Sequence, residues 1–357
     1  MTKLALFYRH LAVKGPCSPL EWLIFAFLLP LGWLYGAVMR LRALFYRIGW
    51  FDAYCADVPV ISVGNLSVGG TGKTPVVDYL IRYCRSLDKR VAVVSRGYAG
   101  GKGAALRVVC AGQGPILDVQ QAGDEPWLLA RRNPAAIVIV APHRAQGVRH
   151  AVENLGAEVV LLDDGFQHLA VSRDFDLVLL DALRPFGNGQ VLPAGLLREP
   201  VSALRRGDLF VLTRCPEDLA GTADVPGPVV HCRHILEESA VDLDGEVRSL
   251  RELAGLRGIA FAGIAEPEGF FRELQSHGLT LTRTLHFSDH AAYDERAAIL
   301  LKDAAKSGDY FITTEKDAVK LAHMTLPLPC FQVPLRLMFV ETGQLEQKLS
   351  PIISNQR

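Results

Sequence analysis

The stretch VPVISVGNLSVGGTGKTPVVDYL, residues 58–80, decides the fold of this chain. Its apolar, partly β-branched start, Val58 to Val63, predicts a buried strand. A bend with four glycines follows between positions 64 and 72, and then come Lys73-Thr74 and a segment that favours a helix, 75–80. This order is typical of a P-loop, in which backbone N–H groups and a helix N-terminus surround phosphate oxygens.

The glycine bend predicts nucleotide binding, although it departs from the strict pattern G-x-x-x-x-G-K-[ST], which has glycine where this chain has Ser67. Lys73 is expected to reach the outer phosphates, and the Thr74 hydroxyl to hold Mg²⁺. The predicted nucleotide-binding residues are Asn65, Ser67, Val68, Gly69, Gly70, Thr71, Gly72, Lys73, Thr74 and Pro75. A P-loop by itself does not distinguish a kinase from a GTPase or an assembly ATPase.

Length and composition indicate a globular chain of two or three domains. The chain has 357 residues, of which 50% are apolar and 21% charged, and this excludes a disordered protein. Lys+Arg and Asp+Glu both total 38, so we expect no nucleic-acid partner. Seven scattered cysteines without a CxxC pair favour free thiols in a reducing compartment. In His231-Cys232-Arg233-His234 the neighbours alternate between strand faces, so no metal site is expected there.

An apolar run, WLIFAFLLPLGWLYGAVM, occupies residues 22–39 and is followed by arginines and aromatic residues up to Trp50. We expect Pro30 and Gly32 to break a helix in the middle of this run, whose length is at the short end for crossing a bilayer. Three interpretations stay open: a spanning anchor, a broken helix in the membrane interface, and a helix buried against the globular part. The aromatic and basic flank favours attachment to a membrane surface through residues 20–50.

Apolar strands alternate with helical segments in the middle of the chain, with strands predicted at 90–95, 136–140, 158–162, 175–180 and 208–212. The pattern predicts an α/β fold of the P-loop NTPase type, with a mostly parallel sheet covered by helices on both faces. Ligands of such sheets bind beyond the carboxyl ends of the strands. Polar clusters follow each of these strands, so we expect them to form one site.

Turn-forming residues between about 215 and 230 predict a domain boundary. Strands at 258–264, 279–287 and 310–314 then alternate with helices at 267–276 and 294–306, which predicts a smaller βαβαβ domain. We therefore expect an N-terminal membrane-surface segment (1–50), a P-loop kinase domain (51–225) and an α/β C-terminal domain (226–357) that closes over the cleft.

Several carboxylates are candidates for chemistry. The strand VVLLDD ends in Asp163-Asp164, and one of the two is expected beside Mg²⁺. Asp124 and Glu125 precede a helix, where capping explains them about as well as catalysis does. His290 follows a strand and, paired with a carboxylate, would support a base that removes a hydroxyl proton.

Arg96, Arg144 and Arg198 follow strands or turns on the same side of the predicted sheet. Arginine binds phosphate through two parallel hydrogen bonds, so converging arginines indicate a phosphorylated substrate. Each of them is equally well explained as a solvated surface charge.

Taken together, these residues resemble the tetraacyldisaccharide 4′-kinase family over nearly the whole chain. The resemblance rests on SVGNLSVGGTGKTP (62–75), SRGY (95–98), GDEP (123–126), APHRAQG (141–147), LLDDGFQH (161–168), FGNGQVLPAGLLREP (186–200), FSDH (287–290) and TTEKDAVKL (313–321). The family also has GGTGKTP, so the departure at Ser67 is shared with it. Leu196, where proline is expected, and Ala291, where histidine is frequent, are local departures.

The resemblance implies ATP- and Mg²⁺-dependent transfer of the γ-phosphoryl group to the 4′-hydroxyl of a tetraacylated glucosamine disaccharide 1-phosphate. The enzyme would lie on the cytoplasmic face of the bacterial inner membrane, as a peripheral or monotopic protein without an obligate protein partner. Asp124 would be the general base with His290 as its partner, and Thr74, Glu125 and Asp163 would surround Mg²⁺. Asp164, Gln167 and His168 would lie by the reacting groups, and the three arginines by phosphates.

Two alternatives remain at this point. One is a membrane-associated P-loop ATPase or GTPase that switches a protein partner, which would need no base contributed from two domains. The other is a soluble P-loop kinase whose N-terminal helix is buried.

Overall fold

The computed structural model describes residues 3–96, 105–216, 223–289, 291, 293–321, 324–341 and 343–354. Two β-sheets with helices packed on them, and one long apolar helix near the N-terminus, make up this part of the chain. The helices are α1 (Lys3–Lys14), α2 (Pro19–Arg47), α3 (Lys73–Ser86), α4 (Val119–Ala122), α5 (Asp124–Arg132), α6 (Arg144–Glu153), α7 (Leu250–Leu253), α8 (Pro267–Ser276), α9 (Glu295–Ala304), α10 (Glu315–Ala318) and α11 (Gln344–Ser354), with 3₁₀ turns at Val201–Arg206 and Ala305–Ser307.

The strands fall into a nine-stranded and a six-stranded sheet. They are β1 (Val60–Asn65), β2 (Val91–Ser95), β3 (Arg107–Ala111), β4 (Ile137–Val140), β5 (Val159–Asp163), β6 (Phe175–Asp181), β7 (Leu209–Thr213), β8 (Val229–Leu236), β9 (Ser239–Asp242), β10 (Val247–Ser249), β11 (Arg257–Ala262), β12 (Thr280–His286), β13 (Tyr310–Thr314), β14 (Cys330–Val333) and β15 (Leu335–Phe339).

The nine-stranded sheet confirms the predicted α/β class. Its order is β15-β8-β7-β6-β1-β5-β2-β4-β3, and the pairs between β8 and β4 are parallel. Only the outer pairs, β15 with β8 and β3 with β4, are antiparallel. Because β1 lies in the middle, the loop that follows it opens at the centre of the carboxyl edge.

Helices cover both faces of this sheet, as the continuous apolar strands predict. Alternate residues of β1 point to opposite faces. Ile61 and Val63 pack with α3 and α11 on one face, while Val60 belongs to the cluster around α6 on the other. All three side chains are essentially inaccessible to solvent. Burial on both faces explains why these strands carry no polar alternation.

The six-stranded sheet contains the predicted βαβαβ unit. β11, β12 and β13 are parallel neighbours connected by α8 and α9, in the order β10-β9-β14-β13-β11-β12. β14 adds a further parallel strand, and β9 and β10 add antiparallel strands that the sequence pattern did not predict. The second lobe is therefore larger than expected.

The division between the lobes does not fall at the expected position, 225/226. β8 pairs with β7 of the first sheet, and β15 returns to pair with β8. Leu345, Leu349 and Ile353 of α11 lie in the core of the first lobe. The second lobe thus comprises the described residues between 239 and 333, and the turn-forming residues near 225 mark only the connection between β7 and β8.

Helix α2 is continuous, so the predicted break at Pro30 and Gly32 is wrong. Ser18 and Glu21 form a capping box at its start, and the helix then runs for 29 residues with Pro30 inside it. A proline in a helix interior costs roughly 3 kcal/mol, which packing along so long a helix can offset. By length and composition α2 could cross a membrane.

One face of α2 rests on the first lobe, and the other is exposed. A Cβ added at Gly32 would meet Ala194 at 3.3 Å, and one at Gly36 would meet Val191 at 3.4 Å, so the helix backbone lies directly on this loop. The exposed large apolar residues of α2 are Leu20, Trp22, Leu23, Phe27, Leu31, Trp33, Leu34, Val38, Leu41 and Leu44. The interpretation of α2 as a helix buried in the globular part is therefore wrong.

Gly64 is the position at which the central strand tolerates no side chain. A Cβ there would lie 2.6 Å from both the backbone N and the Cβ of fully buried Phe166. We expect Gly64→Ala to lower the free energy of unfolding by about 1–3 kcal/mol through overpacking, measured by thermal and denaturant unfolding. Gly255→Ala, where nothing lies within 4 Å of the added Cβ, is the control. Equal unfolding midpoints for the two variants would contradict the expectation.

Candidate active site

The P-loop lies between β1 and α3, and Asn65 holds it together. Asn65 is fully buried at the end of β1, and its Nδ2 donates to Ser67 O at 2.8 Å and to Gly69 O at 3.4 Å. Its Oδ1 accepts from Lys73 Nζ at 3.2 Å. Gly72, in the left-handed region with φ 76°, immediately precedes the first turn of α3. The side-chain amide of Asn65 thus hydrogen-bonds to both the loop backbone and the Lys73 ammonium group, and fixes their relative positions.

Residues 190–198 support the loop from outside. Val68 N donates to Leu196 O at 2.7 Å, and Arg198 N donates to Leu66 O at 2.8 Å. Ser67 forms an isolated antiparallel bridge with Leu197 and does not have a positive φ. A glycine is therefore not required at position 67, which explains the departure from the strict pattern.

Asp163 is the last residue of β5, the neighbour of β1, and Asp164 follows it; their carboxylates contact different partners. Asp163 Oδ2 accepts from Ser95 Oγ at 3.1 Å. Asp164 lies 3.3 Å from Lys73 Nζ and accepts from Arg198 NH1 at 2.9 and 2.7 Å through its two oxygens. Asp164 adopts φ 55°, a conformation that non-glycine residues rarely adopt. This turn of the backbone separates the directions of two adjacent carboxylates.

The electrostatic surroundings of the two carboxylates differ accordingly. Burial, with Glu125 and Asp164 nearby, raises the pKa of Asp163 to about 6. Burial also acts to raise the pKa of Asp164, but Lys73 and Arg198 outweigh it and hold that pKa below its usual value. Two cations thus outweigh burial at Asp164, whereas at Asp163 the charges of Lys73 and Arg144 offset burial only in part.

Gln167 and His168 do not line the cavity and lie next to residues that do. Gln167 Nε2 donates to Asn65 O at 2.9 Å, and Gln167 Oε1 accepts from Arg198 NH1 at 3.4 Å. Burial, reinforced by the Arg144 guanidinium, lowers the pKa of His168 to about 4, so the imidazole is neutral. Arg144 is itself buried and donates to Ala141 O at 2.7 Å and to Asp163 O at 3.4 Å.

The second lobe brings lysines to the carboxylates of α5. Lys316 Nζ lies 3.0 Å from Glu125 Oε1 and 3.3 Å from Asp289 Oδ1. Lys320 Nζ lies 3.3 Å from Asp124 Oδ2. Sequence reasoning assigned no role to these lysines, and the available signal was their position in the segment 315–321, which follows strand β13. His290, predicted as the partner of Asp124, lies outside the described residues.

An additional ion-pair cluster joins the lobes beside these contacts. Arg132 of α5 pairs with Glu315 of α10 and with Asp78 of α3, the latter at 3.0 Å. Leu335 contributes its backbone to both partners, because its N donates to Glu315 and its O accepts from Arg132. The C-terminal end of α5 is therefore held between the P-loop helix and the second lobe.

A cavity of about 680 Å³ lies between the lobes and brings most of the predicted residues together. The predicted residues that line it are Val68, Gly69, Gly70, Thr71, Gly72, Lys73, Thr74, Pro75, Arg96, Asp124, Glu125, Asp163, Asp164 and Arg198. Asn65, Ser67, Arg144, Gln167 and His168 are not among the lining residues and act through their contacts. Ile264, Phe270 and Leu236 add an apolar part. The cavity therefore combines hydrogen-bond donors and cations that can bind phosphate with an apolar surface, as small-molecule sites do.

A glycine loop before a helix, a lysine at its end and an acidic pair after the neighbouring parallel strand define a P-loop nucleotide-binding enzyme. Comparison with known proteins narrows the class. The model of the family described as tetraacyldisaccharide-1-P 4′-kinase matches residues 24–354, and the chain belongs to this family.

Individual relatives agree with this assignment. The tetraacyldisaccharide 4′-kinase of Geobacter sulfurreducens is 46% identical over 350 residues, covering 97% of this chain and 99% of that protein. The tetraacyldisaccharide 4′-kinase of Pelobacter propionicus is 43% identical, with 90% of each chain covered. The crystal structure of LpxK from Aquifex aeolicus in complex with ATP is similar with a TM-score of 0.79 and 31% identity, over 92% of this chain and 99% of that one.

His234 of β8 supports the P-loop and makes stability depend on pH. A Cβ at Gly72 would lie 2.6 Å from His234 Nε2, and burial, with Arg214 nearby, lowers the pKa of His234 to about 4. Since the unfolded chain binds this proton near pH 6.5, the contribution to stability is present above pH 6.5 and is lost as the pH falls toward 4. Between pH 7 and pH 4, we expect the wild type to lose roughly 3 kcal/mol more than His234→Gln.

Denaturant unfolding at a series of pH values measures this difference. His143→Gln, at an exposed position, is the matched control and is expected to retain the wild-type slope. An equal loss of unfolding free energy between pH 7 and pH 4 in the wild type and His234→Gln would contradict the expectation.

Proposed function

We propose that this chain transfers the γ-phosphoryl group of ATP to the 4′-hydroxyl of a tetraacylated glucosamine disaccharide 1-phosphate, giving a product of the lipid IVA type. The observation that carries this proposal is that Lys73 and Asp124 line one cavity between the lobes. Membership of the family and the names of the relatives support the substrate class. A switch ATPase would need no such second lobe with ionic contacts to the carboxylates, so this alternative is not favoured.

The nucleotide would be held mainly by prearranged donors. The amides of residues 69–72 and the first turn of α3 would supply N–H groups and partial positive charge. Lys73 and Arg198 already converge on Asp164, so little reorganisation is needed to place two cations beside phosphate oxygens. Arg96, on the cavity wall, is proposed to contact a phosphate as well.

The residues present fit Mg²⁺ bound together with a nucleotide. Among the described residues no group of three or more His, Cys, Asp or Glu side chains is placed to hold a metal by itself. Mg²⁺ usually takes one or two carboxylates and completes its shell with phosphates and water. Thr74, Glu125 and Asp163 offer hard oxygen donors in the cavity, and we propose that they hold the ion, which would neutralise charge on the phosphates.

Asp124 is proposed to accept the proton of the attacking hydroxyl. It is buried at the start of α5 and lines the cavity, and it lies in the same ionic cluster as Glu125 and the lysines of the second lobe. His290 stays the predicted partner, and Gln167 and His168 are proposed to support the phosphate-binding side. Catalysis would then consist mainly of positioning and charge neutralisation.

Movement of the second lobe is proposed to close the cavity. Leu236 and Leu335 pack with the apolar core of the second lobe. Elsewhere the lobes meet through ion pairs, Arg132 with Glu315 and Lys316 with Glu125. Contacts of this kind can be broken and remade at modest cost compared with an apolar interface.

The proposed kinase activity is tested by measuring transfer of radiolabelled γ-phosphate in mixed micelles, with the acylated disaccharide 1-phosphate as acceptor. We expect Lys73→Met and Asp124→Asn each to lower kcat by at least about a hundredfold, because one removes phosphate charge stabilisation and the other the proton acceptor.

Lys306→Met and Asp303→Asn are matched controls, since these residues pair with each other on the exposed surface of the second lobe. Full activity of Asp124→Asn would exclude Asp124 as the proton acceptor. ATP hydrolysis that does not depend on the lipid, with no labelled lipid, would favour the switch interpretation instead.

We further propose that α2 docks the enzyme on the cytoplasmic face of the inner membrane, as a peripheral or monotopic protein. The exposed face of α2 is apolar over most of its length, with Phe27 at 74% and Trp33 at 65% exposure. The opposite face contacts the first lobe from Phe25 to Arg42, and a spanning orientation would drag polar parts of that lobe into the bilayer. The helix therefore fits the interface.

Sedimentation with phosphatidylethanolamine–phosphatidylglycerol vesicles tests this attachment. We expect Phe27→Glu combined with Trp33→Glu to weaken binding at least roughly tenfold, because each residue loses burial in the acyl region. Ile299→Glu, an equally exposed apolar position on α9, is the control. Unchanged sedimentation of the double variant would exclude α2 as the docking element.

A further inference from the structure

Arg42 connects the apolar helix α2 to the loop that follows β5. Its NH1 donates to the backbone O of Gln167 at 3.0 Å, although the two residues are 125 positions apart. The guanidinium also lies over the ring of Tyr46 at 5.5 Å, one turn further along α2. Arg42 is only partly exposed, in contrast to Arg40 and Arg47 on the same helix.

The residue that Arg42 holds is bonded in turn to the phosphate-binding side of the site. Gln167 donates through Nε2 to Asn65 O at 2.9 Å and accepts from Arg198 at 3.4 Å. Asn65 holds Lys73, and Arg198 holds Asp164. The contacts therefore form a continuous chain from α2 to both cations of the site.

The loop 164–168 needs such a restraint. Asp164 has a positive φ of 55°, and Gly165 leaves no room for a Cβ, which would lie 2.7 Å from Leu162 Cβ. A strained conformation of this kind persists only where the surroundings hold it. The position of Arg42 is itself fixed, because Gly32 and Gly36 seat α2 on Val191, Ala194 and Pro200.

We propose that Arg42 is a positioning residue, which fixes the conformation of the loop 164–168 and, through Gln167, of the P-loop. Helix α2 then has a second role besides docking, as the support from which the phosphate-binding side is held. Because Arg42 donates to the backbone O of Gln167, the contact requires a long, charged donor at position 42 and does not depend on the side chain at position 167. The kinetic part of the test rests on the proposed function, while the structural part does not.

Hydrogen–deuterium exchange of the full chain in dodecyl maltoside micelles tests the restraint directly, with Arg42→Met, Arg42→Lys and Arg40→Met compared with the wild type. A hydrogen bond from a charged donor to a partly buried carbonyl predicts roughly tenfold faster exchange in residues 164–168 of Arg42→Met. Arg42→Lys, which retains one charged donor, is expected to restore part of the protection. Arg40→Met removes the same charge from the same helix and is expected to leave this loop unchanged.

Exchange in 164–168 that is equal in Arg42→Met and Arg40→Met would overturn the proposal. A uniform increase over both sheets in Arg42→Met would overturn it as well, because the residue would then only stabilise the fold.

The kinetic readout separates positioning from lipid binding. In the mixed-micelle assay we expect kcat of Arg42→Met to fall roughly tenfold with an unchanged KM for the lipid, and Arg42→Lys to recover part of the rate. A raised lipid KM at unchanged kcat would make Arg42 a lipid ligand and overturn the proposal. A wild type that labels no lipid would refute the proposed function, whereas the exchange comparison would still decide the role of Arg42.

Discussion

The buried amide of Asn65 is the contact on which the phosphate-binding side depends. It satisfies the carbonyls of Ser67 and Gly69, which the turn leaves without strand partners, and it also accepts from Lys73. A buried polar group that serves three partners fixes them relative to one another, because losing one leaves unsatisfied groups in a low-dielectric environment. The loop is therefore prearranged by an intramolecular network rather than by glycine flexibility alone.

The second lobe completes the site through charge. Glu125 at the start of α5 places a further carboxylate near Asp163, and Asp124 precedes it, an arrangement that would be unfavourable without compensation. Lys316 and Lys320 supply two positive charges from α10 and the segment after it. These ion pairs join the lobes and also set the charge of the cavity, so that opening the lobes would change that charge as well.

The sequence was sufficient for the parts of the fold that are buried on both faces. The strands from β1 to β7 that lie inside the sheet are continuous apolar runs, and the polar residues after them meet at one edge as expected. It was insufficient for β8 and β15, whose half-exposed pattern is weak and whose register joins Cys232 to Phe339 across more than a hundred residues. The continuity of α2 through Pro30 also depends on tertiary packing, which a proline rule does not include.

For the site, the sequence identified the acidic pair after β5 and could not rank its members, because adjacent residues differ only in direction. The left-handed turn at Asp164 supplies the difference, since it points that carboxylate at Lys73 and Arg198. Two fixed cations already neutralise Asp164, so a divalent ion there would meet repulsion. At Asp163, Lys73 and Arg144 offset burial and the neighbouring carboxylates only in part, so the pKa stays raised and an added cation there would be favourable. This asymmetry supports the proposal that Asp163 holds the metal and that Asp164 supports the phosphate-binding cations.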